Sequence, residues 1–410
     1  MNSSAATSIF RSDIRVIGLI GFAHGISHFF HMLLPPLFPW LMPEFNLSFT
    51  QAGATMTVFF VVSGVGQALS GFVVDRIGPR RVLLAGIACF VLAALLLSLA
   101  NSYAMLLAVG AVAGLGNCGF HPADFTVLNR KVSTARLGHA FSMHGLSGNL
   151  GWAIAPVFLA GIAAAANWRT AALGAAGLGA AAWLVIWLRR EATDLTGIAA
   201  NATEANASAK VSPAGTASTF GFLGVGAVWM CFCFFLVVTA AFGGLQNYAT
   251  PVMHEIYGLP LAAAAATLTA FLLGGAVGIA GGGVLASRSG AHDRQIAAAL
   301  AAAAAVAMVI ASGVLPSWSV LPAMGVMGFC GGIAGPSRDL LVRRAATARF
   351  GQQAFGRIYG FVYSGLDVGL AISPLLFGPL MDGGRFGAVL VGVALLQGAA
   401  ILTALRVGRV

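Results

Sequence analysis

Residues 71–81 read GFVVDRIGPRR. Apolar runs lie on both sides, near 50–74 and 82–100, so this is a short charged turn between two long apolar segments. Gly78 and Pro79 punctuate it. Asp75, Arg76, Arg80 and Arg81 load it with charge. Each flanking run matches the roughly 20 apolar residues that a helix needs to cross a bilayer. A charged loop joining two spanning helices is the unit from which the rest of the chain is built.

The composition agrees. Of 410 residues, 59% are hydrophobic and 8% charged, against roughly 25% charged in a soluble domain. Lipid is therefore the main solvent. Apolar runs fall near 17–42, 50–74, 82–100, 103–128, 138–162 and 168–188, and again near 220–248, 260–286, 295–314, 317–341, 354–380 and 386–406. The sequence predicts an all-α membrane protein of twelve spans. Residues 1–190 form one six-helix half and 220–410 the other. The polar stretch 191–219, which has no aromatic residue, is a flexible linker between them. The first apolar run is too long for a signal peptide and is kept as a span.

The net charge of +10 would suggest a nucleic-acid partner in a soluble chain. Here it is read by position. Arginines and lysines recur at alternate loops, at 11 and 15, 76–81, 130–136, 189–190, 288–294, 343–349 and 406–409, whereas only Arg169 and Arg385 fall on the opposite side. By the positive-inside rule both termini are cytoplasmic, in a bacterial inner membrane. Nucleic acid is excluded as a partner, and a monomer is expected. The five cysteines lie in apolar stretches and form no CxxC pair, so neither a disulfide framework nor a structural zinc site is expected. No resident metal or cofactor is assigned.

The halves repeat. Pro156, Gly151 and Phe141 have counterparts 218 residues later in Pro374, Gly369 and Tyr359. At an offset of 214, Gly114 and Pro122 match Gly328 and Pro336, and at 212 Gly71, Arg76 and Gly78 match Gly283, Arg288 and Gly290. Two such halves imply a substrate site between them, near the midplane.

Gly71–Arg81 resembles the signature loop between helices 2 and 3 of the major facilitator superfamily. Gly110, Gly114, Gly116 and Pro122 resemble the superfamily's helix 4 motif, except that Gly110 stands where the motif opens with arginine, so no role for that arginine carries over. GNLGWAIAP at 148–156 and LDVGLAISP at 366–374 resemble a degenerate antiporter motif. SHFFHMLLPPLFP at 27–39 and GFHPAD at 119–124 look most like the fosmidomycin-resistance branch. The resemblance implies secondary transport by alternating access, with export of small anions. In the loop, Gly71 would allow close helix packing and Gly78 a turn. Asp75, with Arg76, Arg80 and Arg81, would form a conformational latch at the inner face.

Candidate site residues follow from ionisable groups inside spans, which by default mark function. His24, His28 and His31 are spaced i, i+4, i+7 on one face of helix 1, and histidine suits proton traffic. His121 and Asp124 lie three apart on helix 4. A carboxylate in a poorly solvated cavity is able to load and release a proton near neutral pH. Arg338 aligns with Asp124 across the repeat and presents a planar fork suited to an anion. Asp367 lies mid-span in helix 11, with Tyr359 and Tyr363 on the same helix and His144 on helix 5. Gln246, Asn247 and Tyr248 form a candidate polar gate. The expectation is a proton-coupled transporter of a small anionic molecule, with export by antiport favoured. The alternatives are proton-symport uptake of an organic acid, and copper import using His28–Met32 and His139–Met143. No nucleophile elbow, phosphate loop or HExxH motif supports an enzyme.

Overall fold

The computed structural model describes residues 3–133, 136–193, 224, 226–288, 291–350 and 355–407; the side chains at 3–9, 138, 227, 287–288, 338–350, 355–360, 363 and 407 are outside the description. Among the described residues there is no strand, and twelve helical segments are long and apolar enough to cross a membrane. Spans 1 to 6 are Phe10–Phe45, Phe49–Ile77, Pro79–Ser98, Tyr103–Lys131, His139–Ala165 and Trp168–Leu188. Spans 7 to 12 are Val228–Tyr257, Leu261–Ala286, His292–Ala311, Ser317–Ser337, Ser364–Asp382 and Phe386–Arg406. The face bearing the chain ends is called terminal below, and the opposite face distal. The expected linker, from residue 194 onward, lies outside the described residues; its first part does not begin at 191, because a short helix, Arg190–Thr193, continues span 6 and buries Thr193.

Two spans are broken, and both breaks follow from sequence. The helix that opens span 1 ends at His31, and a 3₁₀ turn Pro35–Leu37 leads into a short helix Phe38–Phe45. Consecutive prolines cannot donate into a continuing helix. Span 4 is a helix to Asn117 and a second from Phe120. Pro122 has no N–H to give to the carbonyl of Cys118, four residues back. The second segment carries His121 and Asp124. Span 2 starts at a capping box: Gln51 N donates to Ser48 Oγ at 3.1 Å, and Ser48 N donates to Gln51 Oε1 at 2.9 Å.

The two halves pack by the same glycine contacts. In lipid there is no hydrophobic gain from pairing helices, so close backbone approach at small residues supplies the attraction. A side chain at Gly114 would collide with Phe59 O, and one at Gly328 with Phe271 O. These are the same contact, between spans 2 and 4 in one half and spans 8 and 10 in the other. Likewise a Cβ at Gly151 would strike Gly25 O between spans 5 and 1, and one at Gly369 would strike Thr239 and Leu236 between spans 11 and 7. The repeat seen in the sequence is thus a repeat of contacts in space.

The halves meet along spans 2 and 11 and along spans 5 and 8. Thr57 Oγ1 donates to Ala371 O at 2.8 Å, and Thr269 Oγ1 donates to Ala153 O at 2.7 Å. At the distal face the contact is a clasp. Asp382, at the end of span 11, accepts from Phe49 N at 2.5 Å and from Thr50 N at 3.1 Å, and Thr50 Oγ1 also donates to it at 2.5 Å. A carboxylate from one half thereby caps the first turn of span 2 in the other, where the helix dipole favours negative charge. Tyr248 OH completes the clasp, within 3.1 Å of Phe49 O and 3.2 Å of Pro374 O.

Candidate functional site

Glycines bring spans 1 and 5 into near backbone contact, and this sets the site. Gly25 and Gly151 face each other, and Gly148 lies against His24 and His28, where an added Cβ would come within 2.7 Å of His28 Nδ1 and 2.9 Å of His24 Nε2. The broken segment of span 4 then delivers Asp124 and His121 from the other side.

The result is a cluster of five histidines and one carboxylate inside the N-terminal half. Asp124 is fully buried, and His24, His28, His31 and His144 are buried beside it. His144 Nε2 is hydrogen-bonded to Asp124 Oδ2 at 3.0 Å, and His24 Nδ1 lies 3.4 Å from the same oxygen. The His24 and His144 rings stack at 3.5 Å. His28 follows at 4.3 Å from His24, and His31 stacks on His28 at 4.7 Å. His121 stands 5.2 Å from His24 and 5.9 Å from His144. Trp152 covers His28 at 4.2 Å and touches Phe242 of the other half at 5.1 Å. The ring series therefore runs from Asp124 to the boundary between the halves.

His31 ends a second network. Its Nε2 lies 2.7 Å from Asn117 Oδ1, so this nitrogen is the donor, and Asn117 Nδ2 in turn donates to Ser63 Oγ at 2.7 Å. Several polar atoms of the cluster are unmatched. The Nδ1 atoms of His28, His31 and His121, together with Asp124 Oδ1 and Trp152 Nε1, are buried without a hydrogen-bond partner. Buried polar atoms are normally satisfied, so this concentration marks a place where something other than protein completes the bonding.

Six of the ten expected coupling residues thus come together: His24, His28, His31, His121, His144 and Asp124. Asp367 is not part of the cluster contacts; it lies across the half boundary, with its Cβ 3.5 Å from the position a Cβ at Gly64 would take. The side chains of Arg338, Tyr359 and Tyr363 lie outside the described residues. Of the gate residues, Tyr248 is in the distal clasp, Asn247 Nδ2 donates to Gly243 O at 2.7 Å, and both amide atoms of Gln246 are buried without a partner.

The expected 71–81 loop is reduced to Gly78, with φ +86°, which closes the helix Phe49–Ile77 and opens the helix Pro79–Ser98. Arg80 Nη2 donates to Trp187 O at 3.0 Å. Asp75, Arg76 and Arg81 are exposed, and Asp75 has no ion pair among the described residues. Gly71 does not serve close packing: nothing lies within 4 Å of a Cβ built there, because its face of span 2 is uncovered. Of the residues of the copper alternative, His28 lies in the cluster and Met32 is buried in the core, whereas His139 and Met143 are exposed. Sequence reading missed Asn117, Ser63, Trp152 and Gly148, which look like ordinary span residues until the spans are packed.

The profile of the Major Facilitator Superfamily matches residues 20–374. The chain is 32% identical over 163 residues to the fosmidomycin resistance protein of Escherichia coli (strain K12), a match that covers 40% of either protein. It is 25% identical over 397 residues to the uncharacterized MFS-type transporter YfnC of Bacillus subtilis (strain 168), covering 94% of this chain and 91% of that one. The solved structure of the nucleoside transporter NupG (D323A mutant) superposes with a TM-score of 0.75 at 11% identity, covering 96% of this chain and 99% of that one. With a family match over most of the length, and twelve spans in two like halves, the chain belongs to the Major Facilitator Superfamily, as a multi-pass transporter of small molecules and not an enzyme.

Proposed function

We propose that the chain is a proton-coupled secondary transporter that moves a small anionic molecule across a bacterial inner membrane, with export by antiport. The halves 1–190 and 220–410 rock about the site between them, and both termini are cytoplasmic. The observation that carries the coupling is Asp124. It is fully buried, its Oδ2 is shared by two imidazoles, and no lysine or arginine pairs with it among the described residues. A bare carboxylate in such surroundings is very costly. The unit of Asp124, His24 and His144 therefore holds a proton in one state of the cycle. Opening the cavity to water lets it go, and the ring series through His28 to Trp152 links this event to the half boundary.

An anionic substrate is supported by Arg338, which aligns with Asp124 at the repeat offset of 214, and by the names of partial relatives. One is a probable L-galactonate transporter of Escherichia coli (strain K12), and another a probable sulfoacetate transporter of Cupriavidus necator. Export is supported by the name of the fosmidomycin resistance protein. Asp75, Arg76, Arg80 and Arg81 are assigned to a terminal-face latch that closes when the distal clasp opens. The reading is tested by counterflow in proteoliposomes loaded with organic acids or phosphonates. Accelerated uptake of one labelled anion supports it, and failure of every anion to exchange removes the substrate class.

A further inference from the structure

We infer that the histidine–carboxylate cluster is a binding site for a divalent transition-metal ion of the zinc, cobalt or nickel type, with His24 as its central ligand. This goes beyond the proton and anion reading and stands on different observations. Two triads share His24: His24, His28 and His121 on one side, and His24, Asp124 and His144 on the other. Within each triad one ligand atom from each residue lies within 4.8 Å of the others. Ligands around zinc sit about 2.0–2.2 Å from the ion, hence about 3.4 Å apart in a tetrahedral site. A contraction of at most about 1.4 Å closes either triad onto an ion.

The second observation is independent of spacing. In the first triad the Nδ1 atoms of His28 and His121 are buried and have no protein partner, and Asp124 Oδ1 is equally unmatched in the second. Buried nitrogens and a carboxylate oxygen left without a partner have the bonding capacity an ion requires. Gly148 keeps the space free, since a Cβ there would meet both His24 and His28. The donor set selects the metal. Imidazoles with one carboxylate suit zinc, cobalt, nickel and copper(II), and not the hard oxygen-seeking ions. Neither triad contains a cysteine thiolate, which favours these divalent ions over copper(I).

The test uses the full chain, purified in detergent without a polyhistidine tag and stripped with chelator. Zinc binding is measured by titration calorimetry, and coordination by the visible absorption of added cobalt(II). The variants are His24→Gln, His28→Gln and His144→Gln, with Asp367→Asn as the control outside the cluster. Gel filtration and thermal unfolding report whether each is folded. The expected result is one saturable zinc site in the wild type and the control, with a cobalt spectrum of low-symmetry nitrogen coordination. Loss of His24 should weaken zinc at least about 10-fold, the lower bound set by losing even a supporting residue. Together with the loss at His24, a loss in His28→Gln but not in His144→Gln assigns the first triad, and the reverse assigns the second. If His24→Gln does not fold, the double variant His28→Gln/His144→Gln takes its place, since it disables both triads. Absence of saturable binding in the wild type overturns the inference. So does zinc affinity unchanged in a folded His24→Gln or double variant, which would mean an adventitious ion only. Because the readout is binding, it stands or falls separately from anion transport.

Discussion

At the scale of single residues, the account depends on how one carboxylate is held. His144 and His24 converge on Asp124 Oδ2 at 3.0 and 3.4 Å. Gly148→Ala leaves every titratable group in place but pushes a methyl into His24 and His28. We expect it to fold with a loss of about 1–3 kcal/mol, the usual range for overpacking, and to reduce proton-coupled transport more than a conservative change at exposed Met143. Transport assays normalised to folded protein check this. Asn117→Leu removes the partner of His31 and strands a buried imidazole, at about 1–3 kcal/mol; thermal unfolding in detergent reads that loss. The histidines of helix 1 were legible because i, i+4, i+7 spacing defines a face whatever that face meets. The pairing of His144 with Asp124 was not. It joins two spans through a loop, and no periodicity within either span specifies their rotation. Asn117 escaped notice because a short amide in a glycine-rich run looks like a packing residue until its partners are known.

At the scale of elements, the distal clasp and the broken span 4 carry the consequences. Asp382 caps span 2 from the opposite half, so Asp382→Ala should weaken the closed distal arrangement by about 1 kcal/mol, the typical worth of an N-cap. A cysteine at Thr57, beneath the clasp, should then react faster with a membrane-impermeant maleimide added on the distal side. Equal rates with and without Asp382 would show that the clasp does not hold that face shut. The capping box at Ser48 was readable from four residues because it is local chemistry. Asp382 was not, since its partners are 332 and 333 residues away in sequence. The breaks at Pro35–Pro36 and before Pro122 follow from the missing proline N–H. What sequence could not foresee is that the second break swings His121 and Asp124 toward span 1.

For the whole molecule, the twelve apolar runs predicted the architecture because they are imposed by the bilayer and not by tertiary detail. The offsets of 214 and 218 reappear as matched glycine contacts, Gly114 with Gly328 and Gly151 with Gly369, so that part of the repetition in sequence is repetition in packing. Orientation remains a prediction of the charges. A cysteine placed at Asn101, in the distal loop between spans 3 and 4, should label only from outside intact cells. Labelling only after the cytoplasmic face is exposed would invert the assignment.

The central claim is that Asp124 carries the coupling proton. Its most direct test is substrate-evoked proton movement in proteoliposomes, followed with a pH-sensitive dye and compared between wild type and Asp124→Asn. The account predicts that an exchanging anion drives a proton flux in the wild type. In Asp124→Asn that flux falls by at least about 100-fold, in line with loss of a positioned proton-transfer group, while anion counterflow persists. An undiminished flux in the folded variant would contradict it and move coupling away from the histidine cluster, with Asp367 the next carboxylate to test.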